Sequence, residues 1–187
     1  GQMVAPGHEG VTVVSTDSNT WLGQGEDGPR AKAELFAVGP SGRVIYYNDS
    51  HTRYWDVDPV PGTSRTVEYV AADHLSPSAC GGSEPCTRNV VERVNLSTGE
   101  TTRVFARVTG GKHSTRWHDA DRIDETHIAV ADIAKDRVFV VNTTTGTTTW
   151  VWSAQQAFDP AASGGPFPED WTHINDVEVL DDGRLMV

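Results

Sequence analysis

The residues of this chain best suited to chemistry are two clusters, Trp117-His118 and Trp171-Thr172-His173. Their histidines stand 55 residues apart, and each is followed three residues later by an acid, Asp121 or Asp176. An imidazole changes charge near neutral pH and can act as nucleophile, base or proton donor, so two of them at one place could face one substrate. The competing reading is structural. A His and an Asp that recur together can tie strands by hydrogen bonds, and Asp121 and Asp176 suit that role. His8 stands at the start of an expected strand, as His118 and His173 do, and is a third candidate for the same place. Trp117 and Trp171 could stack on an aromatic ligand or pack within the fold. No HExxH, Walker or G-x-S-x-G pattern occurs. The run Asp119 to Asp124 lacks calcium-loop spacing, and Asn175 with Asp176 is too small a ligand set for a metal centre. No metal and no cofactor are expected.

Positioning these residues falls to a repeated hairpin. In Val138 to Trp152, VFVVNTTTGTTTWVW, an apolar strand enters a polar turn ending in Gly146, and a Thr-rich strand returns to Trp150 and Trp152. Two further copies run from Leu35 to Tyr47 around Gly42 and from Val91 to Phe105 around Gly99, with the glycines 57 and 47 residues apart. A hairpin recurring at about 50 residues, with strand-like sequence between copies, fits one blade of a β-propeller. Val11 to Val14, Thr66 to Ala72, Thr126 to Ala131 and Val177 to Leu180 read as the other strands. Nothing sustains a helical period, and only AQQAF, within the loop from Ala154, suggests one helical turn. The expected fold is all-β: residues 1–187 form a single propeller domain of four-stranded antiparallel blades. Three to four blades fit in this length, whereas closed propellers hold about four to eight, so the domain is expected to be incomplete. The innermost strands of a propeller line a central channel, which would bring His118 and His173 to one mouth.

Composition narrows the environment. There are 26 acidic and 15 basic residues, a formal charge of −11, and only three lysines against twelve arginines. That balance argues against nucleic-acid or anionic-membrane partners, which need basic patches. It suits either an ordinary solvated surface or adaptation to high salt, where self-repulsion is screened. Under the second reading thermal stability rises with salt, and a fold equally firm in fresh water argues against it. Cys80 and Cys86, in the turn-rich loop ACGGSEPC, suit a local disulfide better than a metal site, with free surface thiols as the alternative. A disulfide implies an oxidising, extracytoplasmic compartment. The sequons at Asn48, Asn95 and Asn142 point the same way, the last two falling in expected hairpin turns where glycans are accessible.

The segments Ser114 to Asp132 (STRWHDADRIDETHIAVAD) and Asp170 to Val187 (DWTHINDVEVLDDGRLMV), with the opening Gly7 to Trp21, resemble aryl sulfotransferases that do not use a nucleotide sulfate donor, in particular their archaeal-like, halophilic branch. The resemblance implies a six-bladed propeller that moves a sulfuryl group from a phenolic sulfate ester to another phenol through a transiently sulfated histidine. On it, His173 and Asn175 match a His-x-Asn motif contacting the sulfuryl oxygens, and His118 matches a His-Asp motif in the same site. The family's following arginine and the histidine that is sulfated are expected beyond Val187. The implied partners are small aryl sulfates and phenols, with the remainder of the propeller or other cell-surface proteins as macromolecular contacts. The alternative is an extracellular or cell-surface propeller that binds or supports without catalysis.

Overall fold

The computed structural model describes residues 10–17, 33–82, 86–110, 116–162, 167 and 171–187. Within them the chain is all-β, in four antiparallel sheets. Sheet one holds β1 (Thr12–Ser15), β2 (Leu35–Val38) and β3 (Val44–Asn48). Sheet two holds β4 (Arg53–Pro59), β5 (Thr66–Leu75), β6 (Cys86–Asn95) and β7 (Thr101–Gly110) in sequence order. Sheet three repeats that order with β8 (Trp117–Arg122), β9 (His127–Asp132), β10 (Arg137–Asn142) and β11 (Thr148–Ser153). After the single helical turn α1 (Ala154–Ala157), β12 (Glu178–Val179) pairs with β13 (Leu185–Met186) as sheet four. The three expected hairpins are β2–β3, β6–β7 and β10–β11.

Local chemistry explains the recurrence of those hairpins. Gly42, Gly99 and Gly146 all sit at φ near +72° to +74°, where a side chain is strained and glycine is not. In two of the turns an asparagine side chain braces the main chain. Asn95 Oδ1 accepts from the amide of Ser97 at 2.9 Å, and Asn142 Oδ1 from those of Thr144 and Thr145 at 3.0 Å. Asn48 does the same for Ser50 at 3.0 Å. The asparagine of each sequon therefore has a turn-forming role independent of any glycan.

The inner strands of the middle sheets, β5, β6, β9 and β10, are largely buried on both faces, and their period of two sorts side chains between adjacent core layers. In β9, Ile128 and Val130 pack with Phe105, Trp117 and Phe139 towards sheet two, while Ala129 and Ala131 pack with Val138 and Ile174 towards sheet four. In β5, Tyr69 and Ala71 join Leu35 and Tyr54 in the layer against sheet one, and Val70 faces the layer against sheet three. Sheets two and three thus each pack between two neighbouring sheets. The first strands come together in succession: β1 lies against β4, β4 against β8 and β8 against β12. The Cys80–Cys86 disulfide forms, with a Cα separation of 5.8 Å, and closes the β5–β6 connection beside the Leu75–Cys86 pair. Among the described residues no helix is long and apolar enough to cross a membrane.

A buried ionic cluster anchors sheet two. His51, just before β4, reaches Asp73 of β5 through Nδ1 at 2.9 Å and Glu92 of β6 through Nε2 at 3.1 Å. Tyr69 donates to the same Glu92 oxygen at 2.8 Å, and Arg103 to the other at 2.9 Å. Burial opposes a charged imidazole, but the bonds to Asp73 and Glu92 outweigh it and raise His51 to about 9. Burial likewise opposes the Glu92 carboxylate, and the bonds from His51, Tyr69 and Arg103 lower it to about 2. The raised histidine contributes stability that is complete below its ordinary value near 6.5 and is lost as pH rises through about 9. The depressed acid contributes above its ordinary 4.5 and is lost as pH falls through about 2. His51→Gln should cost about 3 kcal/mol at pH 6, since it leaves the buried Glu92 and the half-buried Asp73 each short of a partner. That deficit should shrink by pH 10 in urea unfolding, and a deficit constant from pH 6 to 10 would contradict a charged ring.

Candidate functional site

Three segments at the sheet edges turn out to be equivalent, two of them within β4 and at the start of β8 and the third leading into β12. They are Arg53-Tyr54-Trp55-Asp56-Val57-Asp58, Arg116-Trp117-His118-Asp119-Ala120-Asp121 and His173-Ile174-Asn175-Asp176-Val177-Glu178, with the first aspartates 63 and 57 residues apart. Hydrogen bonds fix the correspondence. Asp119 accepts from the Val177 amide and Asp121 from the Val179 amide, each across 58 residues, and Asp56 accepts from the Ala120 amide. Each acid thus bonds the main chain of the next sheet's edge segment at the same offset. Tyr54, Trp117 and Ile174 occupy the matching buried position.

This register differs from the one expected from sequence. Equal spacing to an acid pairs His118 with His173, but the fold matches His118 with Asn175, and His173 with Arg116. His118 also lies inside β8 rather than just ahead of a strand. The reason is physical: WHDADR is an edge strand whose polar side chains bond to neighbouring sheets, so it lacks the apolar alternation by which strands are recognised.

The upper end of these segments forms one cluster. The Trp55 ring stacks on His118 at 5.2 Å with an interplanar angle of 25°. Arg116 lies over Trp55 at 5.5 Å and donates from Nε to His118 Nε2 at 3.1 Å. His118 Nδ1 meets Asn175 Oδ1 at 2.7 Å, and the His118 and His173 rings touch edge-on at 5.5 Å. Arg53 approaches the Trp55 ring at 5.6 Å and pairs with Asp17 at 2.8 Å. His118 is buried, whereas His173 and Asn175 are exposed. His173 has φ +50°, a left-handed conformation uncommon for a residue with a Cβ and a recurrent mark of functional positions. Beside it opens an apolar cleft of about 1060 Å³, with Trp150, Trp152, Phe158 and Leu185 in its walls.

The expected site residues thus divide. His118, His173 and Asn175 meet. Trp117 is fully buried, stacked on Phe105 at 5.6 Å and edge-on to Phe139 at 5.5 Å, so its ring packs in the core. Trp171 is also buried, edge-on to Phe167 at 5.8 Å. His8 lies outside the described residues. The aromatic ring that does reach the cluster is Trp55, passed over in the sequence because SHTRYWDVD reads as a mixture of aromatics and charges. The signal was present, since Tyr54-Trp55-Asp56-Val57-Asp58 aligns with Trp117-His118-Asp119-Ala120-Asp121.

Further along the same segments lies a group of acids. Carboxylate oxygens of Asp56, Asp58 and Asp119 come within 4.8 Å of one another, in an open cavity of about 260 Å³ that Asp121, Asp176 and Glu178 also line. These are the residues that could hold a cation. Counting only Asn175 and Asp176 from sequence missed Asp56, Asp58 and Asp119 because they come from two different sheets, β4 of sheet two and β8 of sheet three. Several already serve main-chain amides, as described. Burial and then the Asp119 carboxyl push Asp56 well above the carboxylate range, and burial followed by Asp121 raises Asp58. Like charges this close cannot all ionise, so Asp56 and Asp119 share a proton.

No protein-family model matches this chain, and no curated protein matches it closely enough to serve as a relative.

A raised carboxyl contributes stability that is complete below its unfolded value near 3.8 and is lost as pH rises through its folded value. Asp56→Asn keeps an acceptor for the Ala120 amide and supplies a permanent donor to Asp119. The variant should melt at a higher temperature than the parent at pH 8 and show no such gain at pH 4. Equal or lower stability at pH 8 would contradict the shared proton.

Proposed function

We propose that this chain belongs to an extracytoplasmic aryl-sulfotransferase-like β-propeller in which His173 and Asn175 contact the sulfuryl group of an aryl sulfate and His118 lies in the same site. The observation that carries the reading is their convergence, together with Arg116, at one end of neighbouring edge segments. A sulfuryl group needs donors for three oxygens as its charge redistributes, and an amide NH2, an imidazole N–H and a guanidinium are suitable donors in a partly desolvated site. The apolar cleft beside His173 offers the aryl group a nonpolar surface. The propeller reading draws on the succession of first strands and on sheets buried from both sides, and the extracytoplasmic one on the disulfide.

In the proposed reaction the bond between sulfur and the phenolic oxygen breaks, the oxygen leaving with the electron pair and taking a proton. A sulfur–nitrogen bond to an imidazole forms. An acceptor phenol then loses its proton and attacks sulfur, and the sulfur–nitrogen bond breaks to regenerate the imidazole. The resemblance assigns the nucleophilic imidazole to a histidine downstream of Val187, with His173 and Asn175 at the sulfuryl oxygens and His118 in the same site.

The test is transfer from 4-nitrophenyl sulfate to phenol by the protein together with its downstream residues. His173→Ala should lower turnover by about 100-fold or more, the loss typical of removing an oxyanion donor. Unchanged turnover would remove His173 from the mechanism, and no transfer by the parent protein would favour a binding propeller without catalysis.

A further inference from the structure

The hydrogen bonds around His118 specify more than its proximity to a ligand. A guanidinium has donors and no acceptor, so His118 Nε2, facing Arg116 Nε at 3.1 Å, must present its lone pair. The Asn175 carbonyl oxygen has lone pairs and no proton, so Nδ1, facing it at 2.7 Å, must carry the hydrogen. Together the two contacts select one state of the ring: neutral, protonated on Nδ1. An imidazolium would set a second N–H against the guanidinium N–H, and the Nε2–H tautomer would fail at both contacts.

The arrangement is braced on a third side. Trp55 stacks on His118 at 5.2 Å and carries Arg116 on its ring at 5.5 Å, so the guanidinium is seated on the same surface that holds the imidazole. Because the amide oxygen of Asn175 is turned to His118, its NH2 group is the half of that exposed side chain left to face a ligand.

We propose that Arg116 is a positioning residue of this site: it holds His118 as the neutral Nδ1–H tautomer and thereby orients the Asn175 amide so that its NH2 group is presented to an oxyanion. The identity of that oxyanion, an aryl sulfate or sulfonate, rests on the proposed function above. The tautomer does not. One consequence is that a His118 locked in this way has no proton on Nε2 to give a leaving phenol.

Among the described residues, the groups that bear on His118 come from three edge segments. Arg116 and, across Trp55, Arg53 disfavour a positive ring. Asp119 beside it in β8 and Asp176 beside Asn175 act in the opposite sense, although Asp119 is engaged with the Val177 amide. His173 touches the ring edge-on and adds to the disfavour when protonated.

Long-range proton–nitrogen NMR of the 15N-labelled protein separates the two tautomers and the imidazolium, with His118→Gln to assign the signals. At pH 7 the wild-type ring should show a protonated Nδ1 and a bare Nε2. Arg116→Met should release it, with Nε2–H or imidazolium signals appearing and the titration midpoint moving up. A wild-type ring that is charged or Nε2–H at pH 7 overturns the proposal whatever the variant does, so it stays testable even if Arg116→Met fails to fold. An Arg116→Met spectrum equal to wild type overturns it too. In parallel, 4-nitrobenzenesulfonate binding followed by calorimetry should weaken at least tenfold in Arg116→Met and recover in part in Arg116→Lys; equal affinity in all three overturns the amide-orienting role. Failure of the wild type to bind the sulfonate at all, with the Nδ1–H tautomer seen, would count against the sulfuryl reading and leave the positioning of His118 supported.

Discussion

The interaction on which the rest of this structure depends is the bond from an aspartate at one sheet's edge to a main-chain amide of the next sheet's edge segment. An edge strand carries amides with no ladder partner, and each must be satisfied by something. Here Asp119 and Asp121, two residues apart on one side of β8, meet Val177 and Val179, also two residues apart. Asp56 does the same for Ala120. These bonds set how far each sheet slides along its neighbour. They also fix which residues meet one position earlier in the chain: Trp55 with His118, and His118 with Asn175.

The same device explains the charge distribution. Aspartates that serve neighbouring amides accumulate where the edge segments converge, and Asp56, Asp58 and Asp119 end within 4.8 Å of one another. Burial first, and then mutual repulsion, favours the protonated form, so the carboxyls of Asp56, Asp58 and Asp119 are all raised. One step earlier the side chains are Arg53, Arg116, His118 and His173. An end carrying Arg53 and Arg116 thus adjoins an acidic one along the same three segments.

What was legible in the sequence follows from locality. The hairpin Val138 to Trp152 could be read because an Asn-initiated turn, a glycine at positive φ and flanking β-branched residues are all nearest-neighbour signals. The helical turn after Ser153 and the Cys80–Cys86 pair were readable for the same reason. The edge strand β4 was not, because Arg53 and Asp56 find partners outside their own sheet, and its pairing with β5 is broken by an irregularity between Tyr54 and Val57. His118 and His173 could be singled out by type, but their register could not. Matching them on a following acid chose Asp121 for the first and Asp176 for the second, whereas Asp119 is the residue equivalent to Asp176.

The central claim is that the meeting point of these edge segments receives an oxyanion. A crystal structure of the protein soaked with 4-nitrobenzenesulfonate, an unreactive analogue of an aryl sulfate, tests it most directly. The account predicts sulfonate oxygens within hydrogen-bond distance of the Asn175 NH2 group and the His173 ring, with Arg116 still seated on Trp55. A sulfonate bound elsewhere, or a site that stays empty while the protein crystallises intact, would contradict it.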